Sequence, residues 1–135
     1  MTFLPHDDVE FLSSKALIYE LKDVGGQRGI VFPGLSFEGN LYCTNEQSQL
    51  VRCVSCDVLI RIPSGYATTK LDSFYTSPVL RRPDNSFPNC ATGEETHFGR
   101  QWQFWSRHLD NSDWRPDIDG LHTFLNYVWN ELRRA

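Results

Sequence analysis

One stretch of this chain carries a sustained helical stripe, and it comes last. From Pro116 to Arg134 the apolar residues Ile118, Leu121, Leu125, Val128 and Leu132 recur at three- and four-residue steps, which puts them on one face of an α-helix. Pro116 suits the first helical turn, where its missing N–H is no loss. Arg133 and Arg134 suit the negative end of the helix dipole. Gly120 weakens such a helix by ~1 kcal/mol relative to Ala. A helix with one apolar face must lie on something, so the upstream chain has to supply the surface that covers it.

That upstream chain reads mainly as strand. A short helix is expected over residues 5–13, with Asp7 or Asp8 as its cap and Val9, Phe11 and Leu12 as its apolar side. Over 16–24, Leu17, Tyr19 and Leu21 alternate against Ile18, Glu20 and Lys22. Gly25–Gly29 reads as a turn and Gly29–Phe37 as the returning strand of a hairpin. Residues 38–48 read as loop, with a short strand at Leu41–Cys43. Gln49–Ile62 is the longest strand expected, and Pro63-Ser64-Gly65-Tyr66 ends it because Pro cannot continue a ladder. A further strand is expected over Ser77–Arg81. Residues 82–96, rich in Pro, Asn, Thr and Gly, read as irregular, and Trp102–Trp105 is a compact aromatic run. The order predicts an α+β fold: a short N-terminal helix, an antiparallel β-meander, and a C-terminal helix packed on one face of the sheet.

At 135 residues the chain fits a single domain over 1–135. The net charge of −4, with Lys and Arg scattered, argues against a nucleic-acid binder. No apolar run reaches the length of a membrane span, and Met-Thr-Phe-Leu-Pro-His-Asp-Asp has no signal-peptide pattern, so a cytoplasmic location and reduced cysteines are expected.

Ile60-Arg61-Ile62-Pro63-Ser64-Gly65-Tyr66 resembles the strand and Pro-x-x-Tyr signature of ubiquitin-conjugating (UBC) domains. In that family a further strand follows, then a long active-site loop, then Trp-x-Pro opening the crossover helix. Trp114-Arg115-Pro116 stands in that position. The run Gly-Arg-x-Trp-Gln-x-Trp-Ser-Arg-His, here from Gly99 to His108, resembles the prokaryotic UBC-like family E. The resemblance spans roughly 10–135 and implies a UBC-like fold that accepts a ubiquitin-like protein from an activating enzyme and passes it on. It also implies a neighbouring JAB-type peptidase in the same pathway.

Three departures from the classical ubiquitin-conjugating enzymes bear on the chemistry. Their cysteine lies eight residues before the Trp of Trp-x-Pro, and that count lands on Ser106. The His-Pro-Asn motif is missing, and His97-Phe98-Gly99 stands in about its place, without the Asn that supports the oxyanion. The chain also ends after the crossover helix, without the usual extra C-terminal helices. The resemblance therefore points to an oxyester on Ser106. A serine needs a base to take its proton. His108 is two residues away and would share a face with Ser106 in an extended segment, and His97 is a second candidate. Arg100, Arg107 and nearby backbone N–H groups are candidate oxyanion donors. Trp114 and Pro116 would pin the active-site loop to the helix. Cys90, in an irregular segment, is the rival nucleophile, although its distance from Trp114 does not fit that count.

Cys53-Val54-Ser55-Cys56 has the spacing of a zinc or redox pair, with Cys43 and Cys90 as further ligands. A ribbon would repeat the pair, and in a continuous strand positions 53 and 56 face opposite sides. The cysteines are better read as small apolar residues, and no metal or cofactor is expected. Trp102, Phe104 and Trp105 fit a core better than a binding surface. Asp110, Asp113, Asp117 and Asp119 fit capping and solvation better than cation binding. A non-catalytic module that binds a ubiquitin-like protein or its activating enzyme is the alternative to the enzyme.

Overall fold

The computed structural model describes residues 3–106, 114–116 and 118–135. The chain opens with α1 (His6–Ser14) and closes with α2 (Leu121–Arg134). Between them lie β1 (Glu20–Val24), β2 (Gln27–Ser36), β3 (Tyr42–Thr44), β4 (Leu50–Arg52), β5 (Ser55–Ile62), β6 (Phe74–Ser77), β7 (Ala91–His97) and β8 (Arg100–Trp105). Among the described residues one antiparallel sheet runs in the order β1-β2-β5-β6-β8-β7, and β3 and β4 form a separate hairpin. This is the expected α+β meander with a helix at each end, consistent with a UBC-like fold.

The β1–β2 turn is tighter than expected. Gly25 and Gly26, with φ of +59° and +83°, make a two-residue connection, and Val24 pairs directly with Gln27. Two successive positive φ values match the right-handed twist of the strands, which is why glycine stands at both positions.

Period-two alternation then divides the sheet's side chains between its faces. Ile30 and Phe32 of β2, Val58, Ile60 and Ile62 of β5, Phe74 of β6 and Trp105 of β8 belong to one core with Leu12 of α1. The α2 residues Leu121, Phe124, Leu125, Val128 and Leu132 are buried in the same core. A fully buried side chain of this kind contributes roughly 1.5–3 kcal/mol. An isolated helix of this length would be marginal in water, so packing, not propensity, holds α2. The intervening residues Val31, Leu59, Tyr75 and Trp102 form a smaller cluster on the opposite face, with Phe98 and Phe104 packed against it.

Several sequence boundaries move. The long strand breaks at Cys53 and Val54, which separates β4 from β5. The strand expected over Ser77–Arg81 lies earlier, at Phe74–Ser77: Pro78 has no N–H for a ladder, and Arg81 makes only an isolated bridge to Tyr42. Part of the segment expected to be irregular, 82–96, is β7. Its residues show no apolar alternation because it is an edge strand, exposed from Thr92 to Thr96. Helix α2 begins at Leu121, so Pro116 and Ile118 precede it, and Ile118 is 58% exposed rather than part of the buried stripe. Gly120 is the N-cap residue in extended backbone, not an interior weakness.

Candidate active site

The site is built at the end of β8, which is firmly held. The Trp105 ring stacks on Phe74 with centroids 5.2 Å apart, and its Nε1–H donates to Thr76 Oγ1 at 2.9 Å. Thr76 in turn donates to Gln103 Oε1 at 3.1 Å. The buried Gln103 amide also accepts from Leu80 N–H at 2.8 Å and donates to Leu80 C=O at 3.1 Å. Every polar atom of this buried group thus has a partner, which fixes the strand register.

Ser106 follows directly. Its backbone N–H donates to Cys90 C=O at 2.7 Å, and its hydroxyl donates to the same oxygen at 3.1 Å. The two candidate acceptors, Ser106 and Cys90, are therefore neighbours. Cys90 is exposed and lies at φ +66° as the third residue of a turn closed by Ala91 N–H to Pro88 C=O at 3.1 Å. That position normally takes Gly or Asn, and a larger residue held at positive φ is strained.

The same turn carries Asn89, exposed and next to Cys90. Asn89 follows Pro88 here, whereas His97-Phe98-Gly99, expected in about the place of His-Pro-Asn, forms the far tip of the β7–β8 hairpin. A cavity of about 30 Å3 is lined by Asn89, Trp105, Arg82, Glu131, Arg134 and Ala135. It has room for about one water, so the site is an open surface rather than a small-molecule pocket. The larger cleft of about 620 Å3, lined by Arg28, Arg61, Lys70, Tyr75 and Phe104 among others, includes neither Ser106 nor Cys90.

His97 and Arg100 lie elsewhere. They are the closing pair of the β7–β8 hairpin, whose turn is Phe98-Gly99. The length of β7 separates them from Ser106, about 20 Å at strand rise. His97 Nε2 meets Glu95 Oε1 at 3.0 Å and its ring meets Tyr75 edge-on at 4.7 Å. Arg100 pairs with Asp57 at 3.0 Å and lies over the Trp102 ring at 4.2 Å. The structure thus does not bring His97 or Arg100 to Ser106. His108 and Arg107, with Asp110, Asp113 and Asp117, lie outside the described residues.

The two family-like motifs meet each other. Trp114 is buried, its ring 6.3 Å from that of Tyr66, and its Nε1–H donates to Ala67 C=O at 3.0 Å. Tyr66 donates its hydroxyl to Asp8, and Asp8 accepts the N–H of Leu121 at 3.1 Å. Burial, with the Asp8 carboxylate beside it, pushes the Tyr66 hydroxyl pKa well up. Asp8 was expected to cap its own helix. Because α1 already starts at His6, Asp8 sits inside its first turn and caps α2 instead. Arg115 holds Asp119 through two guanidinium contacts, at 3.1 and 3.3 Å, and its backbone N–H at 2.7 Å. The Arg115 hydrogen bonds lower the Asp119 carboxyl to about 2, against a smaller opposing effect of burial. Asp119 is thus an ion-pair partner at the approach to α2, and Pro116 is exposed in that approach.

Cys53 and Cys56 do not face opposite sides, since the break after β4 turns both into the same core. Burial pushes the Cys53 thiol up to about 11 and Cys56 further. Both are thiols near neutrality and poor nucleophiles. Among the described residues no group of three or more His, Cys, Asp or Glu is placed to hold a metal ion. Trp102 and Trp105 are core residues, and Phe104 is half-buried. No described helix is long and apolar enough to cross a membrane.

A β-meander with a helix at each end, Ser106 at the end of β8 and a buried Trp114 ahead of α2 is consistent with a UBC-like fold. The chain belongs to prokaryotic E2 family E, whose family model matches residues 4–135. Comparison with curated proteins and with solved structures gives no match. Membership implies an E2-like role in prokaryotic ubiquitin-like conjugation, with a ubiquitin-like protein and an activating enzyme as partners.

Proposed function

We propose that the chain accepts the C-terminus of a bacterial ubiquitin-like protein as an oxyester on Ser106 and transfers it to an amine. The observation that supports this reading best is that half-buried Ser106, eight residues before Trp114, meets the exposed Cys90 through its carbonyl. In the loading step the Ser106 oxygen attacks the thioester carbonyl on the activating enzyme. A C–O bond forms, the C–S bond breaks, the thiol leaves, and the serine proton passes to a base. His108 is the base in this reading, because His97 is at the far end of β7. In the second step an amine attacks the ester, an amide forms, and Ser106 regains its proton. The Asn89 amide and backbone N–H groups beside Cys90 are the candidate donors to the oxyanion. A JAB-type peptidase would reverse the modification, and the pathway would operate in the cytoplasm.

One observation favours the non-catalytic alternative. The Ser106 hydroxyl already donates to a backbone carbonyl, which is how a merely satisfied serine behaves. Incubation with the activating enzyme, the ubiquitin-like protein and ATP, followed by intact-mass spectrometry, separates the cases. The wild type should gain one modifier mass, stable to hydroxylamine at neutral pH. Ser106→Ala should gain none, and Ser106→Cys should gain a hydroxylamine-labile mass. A labile adduct on wild type that vanishes in Cys90→Ala would transfer the role to Cys90. No adduct on any variant would support the binding module.

A further inference from the structure

The strand that leads away from the two candidate acceptors is a free sheet edge. Strand β7 is the last strand of the sheet, and among the described residues nothing pairs with its outer side. Its Thr92–Thr96 segment is exposed. Phe98 and Gly99, at φ +52° and +78°, form a two-residue turn, and such a turn closes on a hydrogen-bonded pair, here His97 and Arg100. Pairing alternates along an antiparallel ladder. Glu95 therefore also bonds inward to Trp102, while Glu94 and Thr96 turn their N–H and C=O groups outward. Near the other end the register shifts between Ala91 and Glu94, so the edge bends just before it reaches Cys90.

We propose that this edge receives the extended C-terminal tail of the ubiquitin-like partner as an added antiparallel strand. The proposal rests on the acyl-carrier reading above and supplies its docking geometry. Direction is fixed by where the chemistry stands: β7 runs from beside Cys90 toward the hairpin tip, so only an antiparallel tail delivers its terminal carboxyl to Cys90 and Ser106. A parallel tail would leave it about 20 Å away, at His97. The main-chain groups of Glu94 and Thr96 supply the ladder, and the bend beyond Glu94 releases the last tail residues onto the nucleophiles. Charge selects the occupant. Glu94 and Glu95 are adjacent and exposed, so a second copy of this edge is repelled and a tail bearing Arg or Lys is attracted.

The test needs no activating enzyme. The probe is the synthetic peptide acetyl-Val-Arg-Thr-Arg-Val-Arg-Gly carrying a C-terminal cysteamine as its thiopyridyl disulfide. The Cys90 thiolate attacks the peptide-side sulfur, a new disulfide forms, and pyridinethione leaves with the electron pair, which balances the exchange. Cross-linking to Cys90 should be at least about tenfold faster than for the same peptide activated at its N-terminus, and it should slow as salt rises. Cys90→Ala should abolish the product. The unactivated peptide should protect the amides of Glu94 and Thr96 from hydrogen exchange and leave those of Glu95 and His97 unchanged. The double variant Glu94→Lys, Glu95→Lys and the single variant Thr96→Pro should each remove the directional preference. Thr96→Pro deletes an outward N–H and spares the ladder, and the double variant keeps the test decisive if the Pro variant fails to fold. Equal rates for the two peptides, absent protection at Glu94 and Thr96, or self-association through this edge would overturn the proposal. Loading by the activating enzyme that proceeds at the wild-type rate in the double variant would overturn it while leaving the acyl-carrier reading standing.

Discussion

Asp8 ties α1, Tyr66 and the start of α2 together, and its removal should cost more than an ordinary surface carboxylate. It is 2% exposed, it accepts the Leu121 N–H at the mouth of α2, and it accepts the Tyr66 hydroxyl. Loss of a helix cap costs ~1 kcal/mol, and loss of a negative charge beside a helix N-terminus costs ~0.5 kcal/mol more. A buried hydroxyl left without its acceptor adds about 1–2 kcal/mol. Asp8→Ala should therefore lose about 3 kcal/mol, a large part of the stability of a domain this size. With an m-value of about 1.5 kcal/mol/M, the urea midpoint should fall by about 2 M. Asp8→Asn retains an acceptor for Leu121 and should lose only ~1 kcal/mol. Gly120→Ala should resemble Asp8→Ala, because a Cβ there would stand 2.6 Å from Asp8 Oδ1. Equilibrium urea unfolding of Asp8→Ala, Tyr66→Phe and the double variant would show a coupling of about 1 kcal/mol. If Asp8→Ala loses under about 1 kcal/mol, or the single variants simply add, Asp8 is not the shared acceptor and the reasoning fails.

Three further perturbations read out other parts of the structure. The Asp119 carboxyl is lowered from 3.8 to about 2, so its contribution is full above about pH 4 and is lost as pH falls through about 2. Urea midpoints of wild type and Asp119→Asn, compared near pH 6 and near pH 2.5, should differ more at the higher pH. Cys90→Gly should raise stability by about 1 kcal/mol in urea unfolding, because glycine relieves the positive φ, whereas Cys90→Ala should leave it unchanged. Gln103→Ala should cost about 3 kcal/mol by leaving buried Leu80 groups without partners, against under about 0.5 kcal/mol for the exposed Gln101→Ala.

Periodicity carried the fold wherever one face of an element is buried and the other is wet. The stripe of Leu121, Leu125, Val128 and Leu132 was legible for that reason, and so was the first hairpin. It gave no warning at β7, where Thr92-Gly93-Glu94-Glu95-Thr96 is polar throughout because this stretch is exposed on both faces. Helix capping misled in a similar way. An Asp near a helix start reads as its own cap, but which helix it caps depends on a contact spanning 113 residues, which local sequence does not encode. The site was half legible. Counting back from Trp114 singled out Ser106 as a candidate, whereas His97 and Arg100 were set beside it by the likeness to His-Pro-Asn and by nearness along the chain. Both residues belong to a hairpin tip that points away. Cys90, in contrast, is distant in sequence and adjacent in space because β7 and β8 are paired.

The frame and the candidate site occupy different parts of this molecule, and that separates two questions a sequence alone would merge. Tyr66, Trp114, Asp8 and Leu121 form a buried contact at the start of α2, and none of them touches Ser106 through any described hydrogen bond. Their role is to seat α2 on the sheet. Ser106 and Cys90 depend instead on the pairing of β7 with β8, while Trp105 and Gln103 fix β8 against β6 and Leu80 from the core side. Exchange of Ser106 should therefore leave the fold intact. Ser106→Cys keeps a donor for the Cys90 carbonyl and should unfold within about 0.5 kcal/mol of wild type, the range of a substitution outside the core. The same variant converts any oxyester into a thioester. Stability should thus be indifferent to the change while adduct lability reverses. A Ser106→Cys protein that loses several kcal/mol would mean that the hydroxyl is part of the frame, and would favour the satisfied-serine reading over the catalytic one.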